Sequence, residues 1–224
     1  MKQIVGVIDS FNFNSENLEK LFYSKKTYHI EIVKSISIFE PKKWLTRFGK
    51  PLTQNIVEAK ILHTNMGLTL PIKRYSASQH KQTLEFAGLH AYNESAEQRK
   101  TLLKELITHI QDEFISRIDI AIDFKSKVPN RVLQALNKSR TPYQYKNTSY
   151  LKTGKEKKSN PKINILIYPK HIKENLDSEI WRLEFSFRGG YFNKHTIKEL
   201  DKAYKKMEKT IKRLSSVNVK IKAL

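Results

Sequence analysis

The feature that most constrains this chain is strict alternation in two short runs. In Arg117-Ile118-Asp119-Ile120-Ala121-Ile122-Asp123-Phe124, the side chains of Ile118, Ile120, Ile122 and Phe124 fall on one side, and Arg117, Asp119, Ala121 and Asp123 on the other. Trp181-Arg182-Leu183-Glu184-Phe185-Ser186-Phe187-Arg188 repeats the pattern, with Trp181, Leu183, Phe185 and Phe187 opposite Arg182, Glu184, Ser186 and Arg188. Successive side chains of a strand point to opposite faces, so a period of two predicts two β-strands, each with one apolar and one polar face. The apolar faces need a covering layer. The polar faces each present an Arg-x-acid pattern.

Around these strands the chain alternates strands and helices twice in the same order. Gln3–Phe11 reads as a strand, and Ser15–Tyr23 as a helix capped by Asn14 or Ser15. β-rich runs follow at His29–Phe39, Ile56–His63, Gly67–Tyr75 and Gln82–Leu89. A longer helix over Ser95–Phe114 has Leu102, Leu103, Leu106, Ile107, Ile110 and Phe114 as its buried stripe. The second half repeats this plan. The strand Arg117–Phe124 leads to a short helix at Pro129–Lys138, with proline in its first turn. Strands follow near Thr148–Leu151, Lys162–Tyr168 and Trp181–Arg188, and then a helix over Lys194–Leu214. Leu84-Glu85-Phe86-Ala87 matches Leu183-Glu184-Phe185-Ser186, and Ile8-Asp9 matches Ile122-Asp123. The expected fold is therefore α+β and internally duplicated: a mainly antiparallel sheet with helices packed on one face and the other face open for nucleic acid. Residues 1–115 form the N-terminal α+β half, and residues 116–224 the C-terminal half that carries the candidate site, the two intertwined as one domain.

Charge narrows the function. Lys and Arg number 42 against 22 Asp and Glu, a net charge of +20 in 224 residues. Such an excess costs self-repulsion and becomes useful when phosphates cancel it and counterions are released. A membrane would also attract it, but the sequence has no run of about 18 apolar residues and no basic amphipathic helix with an aromatic face. The chain has no cysteine, which removes disulfides, thiolate nucleophiles and Cys-based zinc sites. The N-terminal Met1–Phe11 lacks the apolar core and cleavage site of a secretory signal, so we expect a cytoplasmic protein.

The polar faces suggest chemistry. Asp119, Asp123 and Glu184 are hard oxygen ligands on neighbouring strands, suited to Mg²⁺ or Mn²⁺, and Arg117, Arg182 and Arg188 beside them suit phosphates. Along a regular strand Asp119 and Asp123 stand about 13 Å apart, so only a bulge would let both hold one ion, and pairing either with Glu184 is easier. The same residues also fit cross-strand salt bridges, Asp119 with Arg182 and Glu184 with Arg117. Between Lys138 and Lys173 the basic residues Lys146, Lys152, Lys155, Lys157 and Lys158 are interleaved with Tyr143, Tyr145, Tyr150 and Tyr168, and Glu156 is the one acid. Lysines grip phosphates while tyrosines stack on unpaired bases. A tyrosine can also attack a phosphodiester and stay joined to the 5′ phosphate. Tyr150, in a basic turn, and Tyr168, followed by Lys170, are the candidates. No His–apolar–His triplet, phosphate-binding glycine loop or nucleophile elbow occurs.

The order Arg117–Phe124, Thr148–Gly154, Ile165–Lys170, Trp181–Arg188 resembles the Rep_trans family, the replication initiation factors of rolling-circle plasmids, filamentous phages and conjugative transposons. The family's R-x-D-x-A-x-D and R-x-E strands are both complete here. Its tyrosine motifs are modified: Gly154 follows Tyr150 at a distance, and Pro169 stands between Tyr168 and Lys170 where an acid is usual. The resemblance implies a site-specific nick at a DNA origin presented as a single strand or hairpin, through a 5′-phosphotyrosine link. It also implies a divalent metal on the acidic face, Lys152 and Lys170 with Arg117 and Arg182 at the scissile phosphate, a host helicase that extends the opening, and action as a homodimer. The non-catalytic alternative is a module that binds single-stranded nucleic acid on the same face.

Overall fold

The computed structural model describes residues 3–16, 18, 30–37, 58–64, 69–74, 81–91, 94–138, 140–152 and 162–224. The strands are β1 (Ile4–Ser15), β2 (Ile30–Ser37), β3 (Glu58–Thr64), β4 (Thr69–Arg74), β5 (Gln82–Ala87), β6 (Phe114–Phe124), β7 (Thr141–Tyr145), β8 (Thr148–Lys152), β9 (Ile163–Pro169), β10 (Trp181–Arg188) and β11 (Val219–Lys222). The helices are α1 (Glu94–Ile107), α2 (Asn130–Asn137), α3 (Lys170–Glu174), α4 (Gly189–Phe192) and α5 (Leu200–Ser215).

The fold is α+β. One sheet runs in the order β2-β3-β4-β5-β1-β6-β10-β9-β8-β7, antiparallel at each of these pairings. β11 joins β1 in parallel beyond the end of β5, closing the C-terminus onto the first strand. That parallel approach needs Gly6, where a Cβ would lie 2.7 Å from Val219 Cγ2 and 3.0 Å from Ile120 Cγ2.

The strand order is its own evidence of duplication. Reading outward from the centre, β1-β5-β4-β3-β2 mirrors β6-β10-β9-β8-β7. The expected match of Leu84–Ala87 to Leu183–Ser186 holds, because β5 and β10 take equivalent places beside β1 and β6. The match of Ile8-Asp9 to Ile122-Asp123 does not. Phe86 pairs with Phe11 and Phe185 with Ile120, which makes Ser10 the counterpart of Asp119 and Asn14 the counterpart of Asp123.

The core lies on the face expected from alternation. Ile118, Ile120, Ile122, Leu183, Phe185 and Phe187 are fully buried, and they belong to one cluster with Val132 and Leu136 of α2, Leu102, Leu103 and Leu106 of α1, and Met207 and Ile211 of α5. Each such side chain contributes about 1.5–3 kcal/mol by leaving water.

Several boundaries differ from the sequence reading. β10 coincides with its predicted run. α1 stops at Ile107, short of the expected Phe114. Ile110 is still buried, but Phe114 begins β6, because pairing of Phe114 with Asn14 and Ile115 with Phe13 recruits these residues into the sheet. The C-terminal helix starts at Leu200 after a single tight turn at Ile197–Glu199, where the Thr196 backbone N–H donates to the Glu199 carboxylate at 3.4 Å. β7, α3, α4 and β11 were not expected. Ser15 closes β1 rather than capping a helix, and the rest of the helix expected over Ser15–Tyr23 lies outside the described residues apart from the helical, buried Leu18. No helix among the described residues is long and apolar enough to cross a membrane.

Candidate active site

Directly paired residues of adjacent strands share a face, so the register assembles the polar face row by row. Tyr168, Arg182 and Asp123 form one row across β9, β10 and β6. The next contains Tyr143, Tyr150, Leu166, Glu184 and Ala121, from β7 across to β6. Asn164, Ser186, Asp119 and Ser10 form the third, and Arg188, Arg117 and Asn12 the fourth. Both candidate tyrosines, all three candidate metal ligands and the three arginines therefore occupy one face.

Contacts within the face are dense. Arg182 is completely buried. It donates from Nε and Nη2 to the two Asp123 carboxylate oxygens at 2.7 and 2.8 Å, from Nη1 to Asp9 Oδ1 at 2.9 Å, and from Nη2 to the His90 carbonyl at 3.3 Å. Asp9 reaches it because the β1–β6 register slips between Ile8 and Ser10, and the extra residue of that bulge is Asp9. Arg117 makes a two-pronged bond to Asp119 on its own strand, at 2.8 and 2.6 Å. The Tyr168 hydroxyl donates to Glu184 Oε2 at 3.0 Å.

The electrostatics follow from that packing. Asp9, Asp119, Asp123 and Glu184 face two guanidiniums with which ion pairs form, Arg117 and Arg182, so carboxylates are in excess. Burial, reinforced by Asp119 and Asp9, pushes the Glu184 carboxyl up to about 7. Burial and the neighbouring Glu184 raise the Tyr168 phenol well above its ordinary range. Burial pulls the Arg117 and Arg182 guanidiniums down, but their acidic partners more than offset it and hold both firmly charged. Burial and Arg182 lower the His90 imidazole, so its Nε2, 3.6 Å from Asp123, meets that carboxylate as a neutral ring near neutral pH.

The predicted site residues divide. Asp119 and Glu184 lie diagonally on adjacent strands, with Ser186 beside them. Asp123 stands apart. The β6–β10 register runs unbroken from Arg117 to Phe124, so no bulge shortens the span of about 13 Å to Asp119. Among the described residues no group of three or more His, Asp or Glu is placed to hold one metal ion. The alternative salt bridges expected from alternation, Asp119–Arg182 and Glu184–Arg117, are replaced by Arg182–Asp123 and Arg117–Asp119. Arg182, expected at the phosphate, instead ties β1, β6 and the turn at His90 to β10. Lys170 is buried and paired with Glu174 one helical turn on. Arg188 sits opposite Arg117. Lys146 occupies the turn between β7 and β8, and Lys152 ends β8. Lys155, Lys157 and Lys158 lie outside the described residues.

Asp9 and His90 were not among the expected site residues. Asp9 left a signal, a carboxylate ending an apolar run, but its role depends on a bulge that composition does not show. Ser186 was read only as a polar-face residue. Its Oγ is buried and has no hydrogen-bond partner, an uncompensated hydroxyl beside the two acids.

The fold and face define a class: a duplicated antiparallel α+β scaffold with an acid–arginine–tyrosine cluster on the sheet. No family model matches the chain, and no curated protein matches it. Among solved structures it is similar to a rolling circle replication initiator protein from Geobacillus stearothermophilus, at 12% identity and a TM-score of 0.45, over 95% of this chain and 85% of that one. At that distance the chemistry has to come from the residues themselves.

Proposed function

We propose that the polar face is a nuclease centre that nicks single-stranded DNA by tyrosine attack, the reaction that opens rolling-circle replication at a plasmid or phage origin. The observation that carries this reading is the Tyr168–Glu184 hydrogen bond at 3.0 Å, with the carboxyl pushed up to about 7. A general base works best with a pKa near the working pH, and a phenol held this high needs one.

As the Tyr168 oxygen attacks phosphorus, its proton passes to Glu184. The bond from phosphorus to the 3′ oxygen breaks, and that oxygen takes a proton from water. The 5′ phosphate stays on the tyrosine as an ester, so a later 3′-hydroxyl can attack it and rejoin the strand. Arg117, whose side chain is 37% exposed, would contact the phosphate, with Arg188 beside it in register. Arg182 acts as a positioning residue that fixes Asp123 and Asp9.

Glu184 cannot keep its raised carboxyl as the base and also hold a cation, because a bound cation favours the ionised carboxylate. Mg²⁺ or Mn²⁺ on this face would be held by Asp119, whose oxygens also accept from Arg117, beside the unpartnered Ser186 hydroxyl, with substrate phosphate and water completing the set, and would supply positive charge against the phosphate. Lys146, Lys152, Lys155, Lys157 and Lys158 would hold the flanking strand, and a host helicase would extend the opening. On this reading residues 116–224 carry the chemistry.

A second reading is a non-catalytic single-strand binder. It is favoured by the Tyr168 side chain, which is only 6% exposed. Incubating the protein with a pool of single-stranded oligonucleotides and Mn²⁺ or Mg²⁺, followed by denaturing electrophoresis, separates the two. A covalent protein–DNA adduct is expected. Binding with no adduct would move the assignment to the binder.

A further inference from the structure

The β7–β8 hairpin is the one part of the described second half whose outer strand serves no core. Every residue of β7 is exposed, and β7 ends the sheet. Packing therefore does not account for what it carries: Tyr143 at 52% exposure, facing the half-buried Tyr150 on β8, and Tyr145 at 55%, opposite Thr148 and on the same side of the hairpin. All three share the face of Glu184, because Tyr143 pairs with Tyr150, Tyr150 with Leu166, and Leu166 with Glu184. The buried Leu151, Ile165 and Phe185 lie on the opposite face. Exposed tyrosines on one side of an edge hairpin, with a lysine at its tip, are the chemistry that holds unpaired nucleic acid.

We infer that this hairpin is a base-stacking platform for the unpaired strand leaving the acidic centre. The Tyr143 and Tyr150 rings stand 6.4 Å apart and are tilted by 50°, forming one aromatic surface across the two strands. Lys146 sits at the tip in the left-handed region (φ 49°), and its Nζ lies 5.8 Å from the Tyr145 ring, joining a cation to the aromatic surface. The surrounding stretch from Lys138 to Lys173 holds Glu156 as its one acid, so a polyanion is the complementary partner. Bases present flat faces to aromatic rings while phosphates meet the lysines, and a paired duplex cannot offer those faces. A second copy of this chain adding to the edge fits less well, since Pro142 removes one N–H from the outer strand and the charge is repulsive.

At about 4.8 Å per strand, Tyr150 lies about 10 Å from Glu184 and Tyr143 about 14 Å. One short strand can therefore reach both. Only this placement relative to the cleaved bond rests on the nuclease reading; the binding does not.

The test is fluorescence anisotropy with a 12-nucleotide oligo-dT and with a duplex hairpin of similar length, in a Tyr168→Phe parent so that no nicking enters. Adding Tyr143→Ala and Tyr145→Ala weakens single-strand binding by about 10-fold or more, leaves duplex binding within about two-fold, and keeps the salt slope. The Tyr143→Phe, Tyr145→Phe pair restores the affinity. Lys146→Ala instead lowers the salt slope by about one. Single-strand affinity unchanged by the alanine pair would overturn the platform. So would an equal loss on the duplex, or an alanine pair that turns a dimer into a monomer with oligo-dT binding intact. Each of these results holds whether or not the wild-type protein forms an adduct.

Discussion

The two halves of the sheet share a register and differ in charge. In the second half, Asp119, Asp123, Glu184, Arg182 and Tyr168 meet on one face. The equivalent positions in the first half are Ser10, Asn14, Glu85, Thr83 and Lys73. Where Arg182 grips Asp123 with two charged hydrogen bonds, the Thr83 hydroxyl donates one neutral bond to Asn14 Oδ1 at 2.7 Å. Of the five positions only the glutamate is kept. The same strand positions therefore carry neutral side chains, Ser10 and Asn14, in the first half where the second half has Asp119 and Asp123. Concentrating carboxylates in a desolvated place costs stability, and function is the usual reason to bear that cost.

The largest expected effect separates the two glutamates. Glu184→Gln should reduce adduct formation by about 100-fold or more, with oligonucleotide affinity within a few-fold, while Glu85→Gln leaves the adduct yield nearly unchanged. Quantified denaturing gels and anisotropy read both. Equal loss of nicking and binding at Glu184 would remove its assigned role.

Next come the two cross-strand links. Arg182→Met strands Asp9 and Asp123 in a buried setting and should destabilise the fold by about 3–5 kcal/mol in urea unfolding. Thr83→Val removes one neutral bond and should cost about 1 kcal/mol. Similar losses at both positions would mean that charge is not what distinguishes the halves.

A smaller effect concerns pH. Glu184 has its carboxyl raised from 4.5 to about 7, so between those values the folded chain holds a proton that the unfolded chain has lost. Its contribution to stability is present below about pH 4.5 and falls as pH rises through about 7. Unfolding at pH 5 and pH 7.5 in EDTA should show the decline, and Glu184→Gln should flatten that component. A Gln variant with the wild-type slope would assign the titration elsewhere.

Much of this was legible in the sequence where local pattern sufficed. The alternation of Trp181–Arg188 and Arg117–Phe124 placed every polar-face residue of β6 and β10 correctly, because strand period is a property of the backbone. Which arginine meets which acid was not legible, since that depends on register: Arg182 sits opposite Asp123, not Asp119. Asp9 joined the cluster through a bulge. β11 had visible alternation in Val217, Val219 and Ile221 but is too short to stand without β1 as its partner. β7 has no buried side chain to produce a period. α1 overran because Ile110 and Phe114 fit a helical stripe, yet strand pairing claims Phe114.

The most direct measurement is peptide mass mapping of the covalent adduct formed with single-stranded oligonucleotides and Mn²⁺, comparing wild type with Tyr168→Phe and Tyr150→Phe. The account predicts a nucleotide on the peptide containing Tyr168, lost in Tyr168→Phe and kept in Tyr150→Phe. An adduct on Tyr150, or one that persists in Tyr168→Phe, would contradict the pairing of Tyr168 with Glu184 as the reacting centre.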